Sequence, residues 1–360
     1  MAFDDVLTIR AGRAAYAALK KDGFSPRQVG AMSGAAGGPK WLILSALDRY
    51  LFGDWLAQGD ASHPIEMVGS SIGAWRFAAA CDRVDPVGAI NRLESAYLSQ
   101  RYSERADRNE ISGTIRGILD TFLTDDVLDG VLTHPRYHLH VVTVRSRLLT
   151  RSESRGVLAA GSAISALGNV VSRRTLNWFF ERVVFSRNQG SVQWANDGLS
   201  RRTVGLTAAN VRDAVYASGN VPLAMRGVVD PPGAPRGIYR DGGIVDYHID
   251  QPLIAPDSDA PIVLMPHFDD KLVPGWFDKG LRWRRPRYAE NTLMIGPGPA
   301  LREHLVAGKV PDRKDFYRYA GQDEARLAAW QQALDAGERM RDAFIEFTQA
   351  PDPARYVKPL

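Results

Sequence analysis

Apolar and polar residues follow two rhythms along this chain, and the switches between them mark out its elements. Residues 12–22 keep a helical period and stop at Asp22-Gly23. Residues 28–33 read as a short strand, followed at once by Gly34-Ala35-Ala36-Gly37-Gly38-Pro39-Lys40. From 41 to 55, Trp41, Leu44, Leu47, Leu51 and Trp55 fall on one face of a predicted helix. Residues 65–68 form a strand that runs into Gly69-Ser70-Ser71-Ile72-Gly73, and a small-residue helix continues over 74–81. Residues 85–100 form another helix, with Pro86 suited to its first turn. The run 137–144 is rich in β-branched residues and predicts a strand with His138 and His140 on one face.

Further on, residues 156–185 are small and apolar, then carry Arg173-Arg174 and Trp178-Phe179-Phe180. They read as one or two helices near the mouth of a site, as core helix in preference to a lid. Short strands are predicted at 203–206, 237–240 and 261–265, a helix at 208–218, and an amphipathic helix at 323–349. Strands and helices alternate over most of the chain. That alternation predicts an α/β fold with a mostly parallel sheet covered on both faces. No linker stands out, so residues 1–360 read as one domain, with a core over about 28–270 and a helical decoration over 275–360.

Composition narrows this picture modestly. The hydrophobic fraction is 45% and the charged fraction 24%, which places the 360 residues among ordinary globular chains. No apolar run approaches the ~20 residues a bilayer crossing needs. The N-terminal residues lack a secretory pattern and Cys81 is the single cysteine, so the cytoplasm is the expected compartment. The net charge of +4 suits an ordinary solvated surface or peripheral contact with an anionic membrane. No zinc-finger, RNP or basic-zipper pattern points to nucleic acid.

Three motifs carry chemistry. Strand, sharp turn and small-residue helix around Gly69–Gly73 is the context of a nucleophile elbow, with Ser71 as the nucleophile and Ser70 as a backbone-facing neighbour. Gly69 and Gly73 remove Cβ atoms where strand and helix approach most closely. Consecutive glycines at Gly37 and Gly38 let backbone amides converge on an anion, as an oxyanion hole or phosphate site requires. The run is a poor P-loop, because Pro39 offers no donor and Trp41 stands where a Ser or Thr is needed. Asp241-Gly242-Gly243 follows a strand and can set a carboxylate at the sheet's edge as a base for a serine hydroxyl. The second and third motifs each also read as ordinary turns.

Taken in order, the motifs resemble the patatin-like phospholipase family. Gly37, Gly38 and Lys40 match its glycine-rich loop, Gly69, Ser71 and Gly73 its elbow, and Asp241, Gly242 and Gly243 its aspartate turn. Ala217-Ser218-Gly219-Asn220-Val221-Pro222 is similar to its Ala-Ser-x-x-x-Pro segment, and the likeness covers roughly residues 28–265. The resemblance implies a three-layer α/β/α sandwich and a Ser71–Asp241 dyad cleaving esters of lipids or small molecules through an acyl-enzyme. It also implies an oxyanion hole at Gly37 and Gly38, charge lent to the loop by Lys40, and no metal or cofactor. Ala36 and Trp41 depart from the family's loop glycines, and Asp246-Tyr247-His248 stands where its usual tail would be.

Two rival readings accompany this one. His248 or His267 completes a Ser-His-Asp triad in the first. In the second, the altered loop and tail leave a fold that binds lipid or a partner without turnover. His134, His138 and His140 lack a carboxylate or cysteine at ligand spacing and read as ordinary histidines. The segment His267-Phe268-Asp269-Asp270 reads as a solvated loop. The aromatic and arginine mixture at 277–287 reads either as a grip on lipid headgroups or as a surface loop packed on the core.

Overall fold

The computed structural model describes residues 3–59 and 63–360. The chain opens with α1 (Phe3–Val6), β1 (Leu7–Ala11) and α2 (Arg13–Asp22), which ends where Gly23 turns to φ 74°. After β2 (Val29–Gly34) comes the segment predicted as one helix. It runs as a 3₁₀ stretch (Gly38–Leu44), α3 (Ser45–Tyr50) and a π turn (Leu51–Trp55). Trp41, Leu44, Leu47, Leu51 and Trp55 are all buried, so the apolar face is as the spacing predicts although the pitch changes along it.

Next come β3 (Ile65–Ser70), α4 (Ile72–Ala80) and α5 (Pro86–Leu98). α6 (Arg108–Phe122) and α7 (Asp125–Thr133) start at the side-chain caps Asp107 and Thr124 and occupy a stretch to which the sequence pattern assigns no element. β4 (Tyr137–Ser146) is followed by α8 (Arg155–Val171) and β5 (Phe180–Ser186). The end of the 156–185 segment is therefore a strand, not a helix. Every residue of β5 is buried, which hides the alternation that would have marked it. The chain continues through β6 (Arg201–Gly205), α9 (Val211–Ser218), β7 (Val228–Val229), β8 (Ile238–Asp241), β9 (Ile262–Pro266) and β10 (Thr292–Pro297). α10 (Pro299–Glu303), α11 (Asp315–Arg318), α12 (Asp323–Thr348) and β11 (Lys358–Pro359) complete it.

The strands form one mostly parallel sheet in the order β11-β1-β10-β9-β2-β3-β4-β5-β6, with β8 paired to β4 and β7 to β8. This corrects two expected boundaries. The sheet extends beyond residues 28–270, since β1 pairs with β10 and β10 with β9. Residues 275–360 are not only a helical decoration, because β10 lies inside the sheet with all six residues buried. A strand buried on both faces such as Thr292–Pro297 carries no alternation to read.

Side chains alternate between two cores. Met32, Met67, Leu139 and Leu264 join the larger one, while Ala31, Val68, Val142 and Val263 join a smaller one on the other face. α4 is buried along its whole length and locked to α3 by a two-bonded Arg76–Asp48 pair at 2.6 Å. Among the described residues, no helix is long and apolar enough to cross a membrane.

Candidate active site

Ser71 links β3 to α4. Its backbone sits at φ 55° and ψ −129°, a region costly for any residue with a Cβ. Close packing forces this turn. A Cβ on Gly69 would lie 2.5 Å from Ala74 Cα, and one on Gly73 would lie 2.1 Å from the Gly34 carbonyl oxygen. Both glycines thus let α4 press against the ends of β2 and β3, and the serine between them is held with its hydroxyl at the sheet's carboxyl edge.

The partner of that hydroxyl is fixed by strand register. β3 runs parallel to β4 and ends with Ser70 opposite Val142. β8 runs antiparallel to β4 and ends with Asp241 opposite Thr143. The two strands therefore approach head-on along one edge of β4 and stop at adjacent positions. Ser71 Oγ donates to Asp241 Oδ2 at 3.0 Å. A Cβ on Gly242 would lie 2.2 Å from the Val142 carbonyl oxygen, so the turn after Asp241 needs the glycine to pass β4. Gly243 N–H donates to Asp241 Oδ1 at 2.8 Å and fixes the carboxylate's second oxygen.

A third segment clamps both partners. Ser218, at the end of α9, accepts the Ser71 N–H at 2.8 Å and donates to the Val142 carbonyl at 2.7 Å. Two residues later the Asn220 carbonyl accepts the Asp241 N–H at 2.9 Å. The sequence singles out this segment only by its family likeness. Here it ties the elbow to the aspartate turn.

The glycine-rich loop lies alongside. Gly38 (φ 57°) begins the 3₁₀ stretch and lines the pocket with Ser71, whereas Gly37 faces Phe268. Amides in the first turn of a helix lack an intrahelical acceptor, which leaves Gly38 and Ile72, the first residue of α4, as candidate oxyanion donors. Lys40 does not line that pocket. Its ammonium lies 3.8 Å from Asp269 and over the Phe268 ring. The glycine-rich loop and the segment after Asp241 meet each other: Ala36 N–H donates to the Tyr247 carbonyl at 2.8 Å. Asp246 is bound by buried Arg182 at 2.6 Å, and Trp41 packs edge-on against Tyr97.

Sequence reasoning missed Arg313. It arrives from beyond the expected core, and its Nη2 lies 3.3 Å from Asp241 Oδ2. Burial raises the Asp241 pKa above the ordinary carboxylate range, and the Arg313 guanidinium works against that rise. A buried carboxylate of raised pKa is a better proton acceptor than a solvated one. No local motif marks Arg313, because its distance from Asp241 in sequence is 72 residues.

Above Ser71 opens a pocket of about 280 Å³. Its inner wall is apolar, with Ile72, Trp75, Ile111, Ile115, Ala224 and Met225. Arg313 and Gly38 line it as well, and Tyr102, Glu104 and Arg326 add polar groups. This arrangement offers an apolar slot to a chain and places charge near the Ser71 hydroxyl.

The histidines are used elsewhere. His248 Nδ1 accepts the Val273 N–H at 2.9 Å, and His267 Nε2 faces the Lys271 carbonyl at 3.3 Å. Their rings touch each other, and burial lowers both pKa values, that of His267 to about 3. The carboxylate bonded to the Ser71 hydroxyl is that of Asp241. His138 and His140 do have a carboxylate nearby, contrary to the reading from spacing. Glu66 on β3 stands opposite His138 and bonds both rings, at 3.1 and 2.5 Å. Among the described residues, no group of three or more His, Cys, Asp or Glu is placed to hold a metal. Cys81 is buried, and burial pushes its thiol up to about 12, which removes it as a rival nucleophile.

No protein-family model, curated protein or solved structure matches the chain significantly.

Proposed function

We propose that this chain is a serine acyl hydrolase of the patatin-like type, a three-layer α/β/α sandwich that cleaves carboxylic esters of lipids or small molecules with a Ser71–Asp241 dyad. The observation that carries the reading is the 3.0 Å hydrogen bond from Ser71 Oγ to Asp241 Oδ2, made at a strained elbow beneath an apolar pocket. In this mechanism Asp241 takes the hydroxyl proton as Ser71 Oγ attacks the ester carbonyl. The oxyanion faces the amides of Ile72 and Gly38, donors of a kind whose removal costs roughly 3–4 kcal/mol in comparable sites. Collapse breaks the ester bond, and the leaving alkoxide takes the proton from Asp241. Asp241 then accepts a proton from water as it attacks the acyl-enzyme carbonyl, and on collapse it returns that proton to Ser71 Oγ, which releases the carboxylic acid and restores the free hydroxyl and the carboxylate. The acyl chain lies along Trp75, Ile111 and Met225. No step calls for a metal or cofactor.

The test is labelling by a fluorophosphonate, followed by peptide mapping, together with turnover of short p-nitrophenyl esters. Labelling at Ser71 and loss of turnover in both Ser71→Ala and Asp241→Asn are expected. An Asp241→Asn variant with near-normal turnover, coupled to loss in His248→Ala or His267→Ala, would put a triad in place of the dyad. A folded sample that takes no label would leave a binding protein.

A further inference from the structure

α8 is built inside out. Its inward positions are Leu158, Gly161, Ser165 and Asn169, whereas Val157, Ile164, Leu167, Val170 and Val171 point into solvent. Leu167 is 70% exposed and Val171 85%. Two of the inward polar groups have partners. Ser165 Oγ donates to the Gly161 carbonyl at 2.7 Å, and Asn169 Nδ2 donates to Asp278 Oδ1 at 2.7 Å. Rotating the helix to bury its apolar stripe would break the Asn169–Asp278 bond, so the outward stripe belongs to the folded state.

Neighbouring segments packed on α8 add further exposed apolar side chains. Leu148 and Leu149 precede α8, and exposed Trp178 ends the 3₁₀ turn that follows it. The loop at 281–285 is pinned to α8 by Arg284 Nη2, which donates to the Asn169 carbonyl at 2.7 Å, and it carries exposed Trp283. Around the stripe, Arg151, Arg155, Arg174, Arg282 and Arg285 are exposed. The acids of this region are already paired. Glu153 is engaged by Arg108 and Arg240, and Asp278 by Arg173 and Arg284. The charge left facing outward is positive.

We propose that this face docks the protein on an anionic lipid bilayer, with α8 lying in the plane of the interface. Apolar side chains on one face, arginines at the margin and tryptophans at the border are the physical requirements for such a helix. The net positive rim also opposes a second copy of the chain on the same face, because like charges would meet. α8 leaves the carboxyl end of β4, the sheet edge to which β3 delivers Ser71. Arg173 Nη2 donates to the Val245 carbonyl at 2.5 Å and ties the segment after α8 to the turn after Asp241. Docking therefore holds the turn after Asp241 near the membrane, while the residues of this face stay outside the pocket above Ser71. This purpose rests on the acyl hydrolase reading, but the docking itself does not require turnover.

The experiment is co-sedimentation of the full-length Ser71→Ala protein with vesicles of phosphatidylcholine alone or with about a quarter phosphatidylglycerol. Binding to the anionic vesicles should be at least ~10-fold tighter, with a blue shift of tryptophan emission. The double variant Leu167→Glu, Val171→Glu should lose it ~10-fold or more and keep its circular dichroism. Charge reversal at Arg174 and Arg285 should abolish the preference for anionic lipid. The Leu167→Glu, Val171→Glu change placed on the Ser71 protein should leave turnover of a water-soluble ester unchanged. Failure of soluble turnover with vesicle binding intact overturns only the catalytic reading. The docking proposal falls if the Ser71→Ala protein ignores anionic vesicles or binds both compositions equally. It falls too if light scattering shows a dimer that the same two glutamates dissociate.

Discussion

Replacing Arg313 with glutamine should move the acid limb of the pH–rate profile to higher pH by about one unit and leave the alkaline plateau within a few-fold. Arg313 Nη2 lies 3.3 Å from Asp241 Oδ2. Unit charges at this separation attract by roughly 1 kcal/mol in water and roughly 5 kcal/mol at an effective dielectric constant of about 20. The Asp241 side chain is 2% exposed but that of Arg313 is 36% exposed, so water screens one end of the pair. The lower part of the range applies, roughly 1–2 kcal/mol, or about one pKa unit. The sign follows from the role of Asp241. It must be ionised to accept the Ser71 proton, so kcat/KM falls as pH drops through its pKa. Burial already raises that pKa and Arg313 restrains the rise. Losing the guanidinium raises it further, and the limb follows. Arg313→Lys keeps the charge and should shift the limb much less. The assay is kcat/KM for p-nitrophenyl butyrate from about pH 4 to about pH 9. An unmoved limb in Arg313→Gln would refute the coupling. So would a loss at every pH as deep as that of Asp241→Asn, which would place Arg313 on the substrate instead of the base.

Other consequences follow from the same geometry. Ser71→Gly and Ser71→Ala both remove the hydroxyl, but at φ 55° and ψ −129° the glycine variant should be more stable by about 1 kcal/mol in urea denaturation; equal midpoints would mean the elbow is unstrained. Gly73→Ala puts a Cβ 2.1 Å from the Gly34 carbonyl oxygen and should cost about 3 kcal/mol or more, seen as a lower denaturation midpoint or insoluble protein. For Glu66, burial alone would raise the pKa, but bonds from His138, His140 and Ser191 hold it down at about 2. Its contribution, about 3 kcal/mol, is full above the unfolded value of 4.5 and is lost as pH falls toward about 2. Glu66→Gln should therefore flatten the dependence of stability on pH across that interval, and an unchanged slope in acid-denaturation curves would contradict the pairing.

The sequence by itself determined the local pieces of this protein. The elbow at Gly69–Gly73, the Gly37-Gly38 loop and the Asp241-Gly242-Gly243 turn are set by backbone conformations and close approaches that few residue types allow. Helix faces such as Trp41 to Trp55 are likewise legible, because their period repeats within a few turns. Tertiary structure alone decided which of these pieces meet. The bond between Ser71 and Asp241 spans 170 residues and exists because β3 and β8 end head-on along β4. Arg313 and Glu66 acquire their partners in the same way, across strands and loops that no spacing in the chain encodes. β5 and β10 stayed hidden for a related reason. Burial on both faces erases the alternation that marks a half-exposed strand, and their places are fixed only when the sheet closes around them.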